Sequence, residues 1–246
     1  MKIVQNKYNP SISVDCVIFG FDSNYLKVLL VDMDDYNDEI PKLKLPGSLV
    51  LKNEKLDTYA CQVLNELTGL DNIYLKQFHT FGNPGRIQSF EDKKWIENTY
   101  SVKIERIVST AYYSLVKIDK SNSNPREKSY KANWHNVVDI EALAFDHQDI
   151  LNKGLSKLQK ELFYNPQVCF ELLPEKFTLR DVQNVYEAIQ GITYDNRNFR
   201  KKISKAKYIK PLNEKQTGVA HKPALLYKFD KVIYDKKRTE LGRFLI

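Results

Sequence analysis

Positions 63, 66 and 67 decide what chemistry the stretch ACQVLNELTGL at 60–70 can do. Carboxylates at i, i+3 and i+4 share one face of a helix. Three of them there would hold hard divalent cations such as Mg²⁺. The residues present are Val63, Glu66 and Leu67. Val63 and Leu67 cannot ligate a cation, and Glu66, with Glu54 ahead of the helix, makes a poor magnesium site. No metal, catalytic residue or cofactor is therefore expected here, and Val63 and Leu67 read as core. His79, His135, His147 and His221 are too scattered to suggest a catalytic or metal cluster.

A second chemistry-bearing stretch is NRNFRKKISKAKYI at 196–209. Asp195 is placed to cap it as a helix. Phe199, Ile203 and Ala206 face one way, and Arg197, Asn198, Arg200, Lys201, Ser204, Lys205 and Lys207 face the other. Lys and Arg neutralise phosphates, while Arg and Asn also read base edges with two hydrogen bonds. The turn region Asn213–Lys222 adds Lys215, Gln216, His221 and Lys222 for phosphate or minor-groove contact. The charge distribution agrees. Of 246 residues, 171–246 carry 17 Lys and Arg against 9 Asp and Glu, a net +8, and the other 21 against 22 leave −1. Such asymmetry suggests a polyanion-binding module joined to a near-neutral one.

These groups need a scaffold. SVDCVIFGF, the turn DSNY and LKVLLV read as strand, turn and strand. Pro46-Gly47 precedes Leu49-Val50-Leu51. A helix follows, with Leu56, Ala60, Val63, Leu64 and Leu67 on one face and Gly69 as its C-terminal stop. Leu75–Phe81 and Ile107–Ile118 read as strands, and Ser121–Pro125 as a loop. Strands around one helix indicate an α+β sandwich. Leu151, Leu155, Leu158 and Leu162 then line one stripe of a long helix. Thr178 begins another helix with Asp181 completing a capping box, Leu179, Val182, Val185, Tyr186 and Ile189 form its buried face, and Gly191 ends it. The basic helix and a β-rich run, Ala224–Phe229, followed by Val232-Ile233-Tyr234, complete the order of a winged helix-turn-helix. The expected division is 1–148 α+β domain, 149–170 connecting helix and 171–246 DNA-binding domain.

Cys16, Cys61 and Cys169 are odd in number and widely spaced, and read as small core residues in a reducing compartment. No segment reaches the length needed to span a membrane, and MKIVQNKYNPSISVDC has no apolar run long enough for a signal peptide. A cytoplasmic location is expected.

Residues 45–70, LPGSLVLKNEKLDTYACQVLNELTGL, resemble a Nudix box, G-x5-E-x7-R-E-U-x-E-E-x-G-U. With Thr68-Gly69-Leu70 matching its end, the box Gly falls on Ser48, the first Glu on Glu54, Arg on Gln62, and the metal-binding Glu positions on Val63, Glu66 and Leu67. FHTFGNPGR at 78–86, the AYYSLV strand and LAFDH at 143–147 also match. LLPEKFTLRDVQNVYEAIQG and DNRNFRKKI resemble the winged-helix domain of Nudix-related transcriptional regulators, which join a Nudix-like sensor to such a domain. The resemblance implies a Nudix-like α/β/α sandwich followed by a winged helix, binding a palindromic DNA operator as a homodimer. Within the family it is closest to the arabinose-responsive branch, implying a repressor of L-arabinose utilisation genes. ADP-ribose is the alternative effector, with an active Nudix hydrolase or an RNA- or protein-binding module behind it. A hydroxyl-rich effector needs hydrogen-bonding groups and an aromatic wall. Lys44, Glu66, Thr80, Arg86 and Ser109 are candidates for the first, and Phe81 and Tyr113 for the second.

Overall fold

The computed structural model describes residues 7–33, 43–87, 89–119, 132–220 and 222–236. The loop expected at 121–125 and the candidate His221 lie outside them. The chain forms two compact units, residues 1–22 with 26–157, and 158–246 with 23–25.

The first unit is a seven-stranded mixed sheet between helices. Its strands are β1 (Tyr8–Phe21), β2 (Leu26–Asp32), β3 (Leu43–Lys44), β4 (Gly47–Leu51), β5 (Lys76–Phe81), β6 (Val108–Lys117) and β7 (Ala132–Asn136). β1 is the organising strand. One edge pairs in parallel with β6 from Ile12↔Val108 to Phe21↔Lys117. The other is shared between β4 and β2, both antiparallel. Residues 13–21 are buried without alternation, as expected of a strand covered on both faces.

Helix α1 (Leu56–Thr68) covers one face and stops at Gly69, whose φ of 73° suits glycine. Tyr59, Ala60, Val63 and Leu64 pack with Val14, Cys16 and Ile18 of β1, and Leu67 lies against the same cluster. Helix α3 (His147–Tyr164) covers the other face, where Gly154 lies so close that an added Cβ would stand 3.4 Å from Val17. Between them in sequence, α2 (Phe90–Tyr100) packs Ile96 with Leu49, Ile104 and Ile107. Sequence periodicity alone does not place α2 or β7. The apolar pattern of α2 is weak, with Asp92 itself buried, and β7 carries Asn133 and His135 among its five residues.

The second unit holds the end of α3, then α4 (Gln167–Glu171), α5 (Leu179–Gln190), α6 (Asn196–Ile203), β8 (Ile209–Lys215) and β9 (Leu225–Phe229). Thr178 and Asp181 form the expected reciprocal capping box on α5, and Gly191 ends it at φ 68°. Phe170, Phe229, Tyr208 and Tyr234 interlock beneath the β8–β9 hairpin. Val232-Ile233-Tyr234 lies in a helical segment, 231–236.

Three expectations need correction. α6 ends at Ile203, not Ile209. Ser204 caps it, and a turn leads into β8, because Ile209 is required to pair with Phe229. Cys61 is exposed, whereas Cys16 and Cys169 are buried. α1 turns its 61–62 side to solvent, and Cys61 falls there. α4 adds a helix where only chain boundaries are expected, being one short turn between Pro166 and Leu172. Among the described residues, no helix is long and apolar enough to cross a membrane.

Candidate functional site

The first unit brings together a buried polar cluster that sequence spacing alone does not reveal. Asp15, 4% exposed, points from the centre of β1 toward the α3 side. Its carboxylate accepts from the Ser109 hydroxyl of β6 and lies 3.4 Å from Nε2 of His147 and 4.0 Å from a guanidinium nitrogen of Arg86. His147 Nδ1 accepts the Leu45 N–H at 2.9 Å. The imidazole proton therefore resides on Nε2, directed at Asp15. Burial lowers the His147 pKa to about 4 against the opposing pull of Asp15, so the ring is neutral at physiological pH.

Gly47 makes room for this carboxylate. A Cβ there would stand 2.1 Å from Asp15 Oδ1 and 2.7 Å from the Val14 carbonyl. Lys44, equally buried, donates to the Gly47 carbonyl at 3.2 Å. Burial lowers its pKa to about 8, with Asp15 opposing.

Arg86 reaches Asp146, the residue before α3, in a two-pronged pair, Nε–Oδ2 2.8 Å and Nη2–Oδ1 2.7 Å. Burial disfavours the guanidinium charge, but the bonds to Asp146 and the charge of Asp15 raise its pKa on balance. Its side chain is 6% exposed, and its Nη1 has no hydrogen-bond partner among the described residues. Neither has the buried Ser13 hydroxyl.

Two cavities flank this pair. The inner one is lined by Ser13, Asp15, Lys44, Arg86 and His147, with Trp95, Tyr100 and Phe145 as an aromatic wall. The outer is an open cleft of about 1140 Å³, solvent at its mouth included, lined by Thr80, Phe81, Asn83, Arg86, Asp92 and Asp149 among others. Arg86, Phe145 and Asp146 border both. Phe145 adopts φ 59°, a left-handed conformation that costs a non-glycine residue roughly 1–2 kcal/mol. It rests against Trp95 and His147.

Of the sequence candidates, Lys44 and Arg86 line the inner cavity, and Thr80, Phe81 and Arg86 the outer one. Ser109 and Tyr113 are buried and line neither. Ser109 holds Asp15, and Tyr113 packs edge-on against Phe78. Glu66 is also outside both, on the exposed side of α1, where it accepts from Gln62 at 2.8 Å. Val63 is 2% exposed within the core. Sequence reasoning does not assign Ser13, Asp15, Trp95, Tyr100, Phe145, Asp146 or His147 to the site. Two signals for them exist: Asp15 is a lone carboxylate inside an otherwise apolar buried strand, and Asp146-His147 is a polar pair at a helix start.

In the second unit α6 presents Arg197, Asn198, Arg200 and Lys201 to solvent and buries Phe199. Asp195 caps it at 2.8 Å from the Asn198 N–H, and Arg180 of α5 bonds Asn196 at 2.8 Å. Ser204, Lys205 and Lys207 are exposed beyond the helix end. Lys215 ends β8, Gln216 bonds Ala224 across the hairpin, and Lys222 is exposed at its tip.

The profile of the NrtR DNA-binding winged helix domain matches residues 169–229. The chain is 28% identical over 234 residues, 92% of its length and 85% of the other, to the ADPR responsive transcriptional repressor NtrR of Acinetobacter baylyi (strain ATCC 33305 / BD413 / ADP1). It resembles NrtR of Shewanella oneidensis crystallised with a 27mer DNA, with a TM-score of 0.62 and 24% identity over 89% of this chain and 93% of that one. A MutT/nudix family protein from Enterococcus faecalis is also similar, at TM-score 0.59 and 21% identity over 90% and 88%. None of these matches supports the arabinose-responsive branch. The chain has the architecture of the NrtR-type Nudix-related regulators, a Nudix-like domain followed by an NrtR-type winged helix domain.

Proposed function

We propose that this chain is a DNA-binding transcriptional repressor whose Nudix-like domain senses ADP-ribose. The observation that carries the reading is the winged helix matched over 169–229, with a short helix whose exposed face is almost wholly basic and polar. Arg197, Asn198, Arg200 and Lys201 are the base- and phosphate-contacting candidates, with Ser204, Lys205, Lys207 and the hairpin residues Lys215, Gln216 and Lys222 as flanking phosphate contacts. One such module covers few base pairs, so a homodimer on a palindrome, with half-sites about 10 bp or a multiple apart, is the expected binding mode. The sensing domain at 1–148, the connector at 149–170 and the reader at 171–246 remain the proposed division.

ADP-ribose replaces L-arabinose as the effector. The relative aligned over most of the chain is an ADPR-responsive repressor. Arg86 standing between two cavities, with an aromatic wall in one, also suits a ligand with a central diphosphate better than a single neutral sugar. Catalysis is not part of the reading, because two of the three helix positions that would hold a metal are apolar, with Val63 in the core and Leu67 packed against it.

The test begins with duplexes selected by the full-length protein from random DNA. ADP-ribose is expected to lower affinity for them, and millimolar L-arabinose to leave it unchanged. With Mg²⁺ or Mn²⁺ present, ADP-ribose is expected to be recovered intact. Release by arabinose alone, absence of duplex binding, or turnover lost in Glu66→Gln would each overturn the corresponding part.

A further inference from the structure

We propose that Arg86 is the receptor for the effector's diphosphate and that Asp146 is a built-in anion which the diphosphate displaces, so that binding is registered at the first turn of α3. The inference rests on the ADP-ribose reading above.

Arg86 is held in place yet incompletely used. Two of its nitrogens grip Asp146, and the third, Nη1, is buried with no partner among the described residues. The Ser13 hydroxyl, also unpartnered, lines the same cavity. Buried donors without acceptors are costly, and a phosphate oxygen would satisfy both. Arg86 borders both cavities, so a diphosphate beside it leaves one ligand arm for each.

Charge explains the need for displacement. Around the inner cavity Arg86 and Lys44 are countered by Asp15 and Asp146, and His147 is neutral. An incoming dianion meets no net positive charge while Asp146 occupies the guanidinium. It gains a forked cation by replacing that carboxylate. Asp146 is well placed to report the exchange. Its carbonyl accepts from Asp149 and Ile150, starting α3, and it follows Phe145 with its left-handed backbone. α3 then runs from the first unit into the second without interruption. A change at Asp146 therefore acts on the segment that connects sensor and reader.

Calorimetry and duplex binding on the full-length protein test this, with ADP-ribose, adenosine and inorganic pyrophosphate as probes. Arg86→Gln is expected to weaken ADP-ribose and pyrophosphate about tenfold or more, with adenosine, which carries no phosphate, unaffected. Asp146→Asn keeps the size of the side chain and removes the competing charge. It is expected to tighten ADP-ribose several-fold and to lower DNA affinity without effector toward that of liganded wild type. Should Arg86→Gln fail to fold, Asp146→Asn carries the test alone. If ADP-ribose releases DNA from wild type and Asp146→Asn matches wild type in both affinities, the effector reading stands and this inference falls. If pyrophosphate binds through Arg86 but ADP-ribose does not release DNA, the anion receptor stands and the effector reading falls. If wild type binds neither ADP-ribose nor pyrophosphate, both fall.

Discussion

His147 shows how one buried side chain ties the site to solution conditions. Its pKa lies near 4 in the folded protein, against an ordinary 6.5. Above pH 6.5 folded and unfolded chains both hold it neutral. As pH falls from 6.5 to 4 the unfolded chain takes up a proton that the native site refuses, so stability declines across that window by roughly 3 kcal/mol. Urea unfolding of wild type and His147→Gln at pH 7, 6, 5 and 4 is expected to show this component only in wild type. Gly47 tests the same cluster from below. Gly47→Ala would drive a methyl into Asp15 and the Val14 carbonyl, and backbone cannot yield as a flexible side chain does. A destabilisation of about 2 kcal/mol or more is expected in the same assay. Arg86, Lys44, Thr80 and Phe81 are legible in the sequence as polar or aromatic residues near family motifs. Asp15 and His147 each carry a local signal, but their meeting is not legible, because it depends on β1 and α3 packing face to face, an arrangement that no local spacing encodes.

Among the elements, α1 is legible almost to the residue, since its apolar positions recur with helical period and Gly69 marks the stop. That legibility has an energetic counterpart. Restoring carboxylates with Val63→Glu and Leu67→Glu places one charge at a 2% exposed core position and is expected to cost on the order of 3–5 kcal/mol. Thermal melts of the double variant should reveal this destabilisation before any question of Mg²⁺ binding arises. α6 falls in the expected place but is six residues shorter than its sequence suggests. The basic run continues past Ile203, while the backbone has already turned to begin β8. Arg197→Ala with Arg200→Ala is expected to weaken duplex binding and to reduce the slope of log affinity against log salt by about one for every phosphate no longer neutralised. Unchanged affinity and slope across a titration from roughly 50 to 200 mM salt would remove α6 from the interface. α2 and β7 escape sequence reading because polar residues interrupt their patterns, and tertiary burial decides such segments.

Across the whole molecule, the two units differ in how far apart their paired elements lie in the chain. The second is built mostly from neighbours, α5 with α6 and β8 with β9. The first depends on a strand partner nearly a hundred residues away, Ile12 with Val108 and Phe21 with Lys117. That parallel pairing has a consequence during synthesis. As the polypeptide leaves the ribosome, β1 can find β2 and β4 early, yet its other edge waits until β6 has emerged. For that interval an apolar strand with unfilled backbone donors and acceptors is open to wrong partners. Long-range pairing of this kind also slows folding. Nascent chains arrested before residue 108 should therefore recruit holdase chaperones through β1, and chains long enough to release β6 from the exit tunnel should let them go.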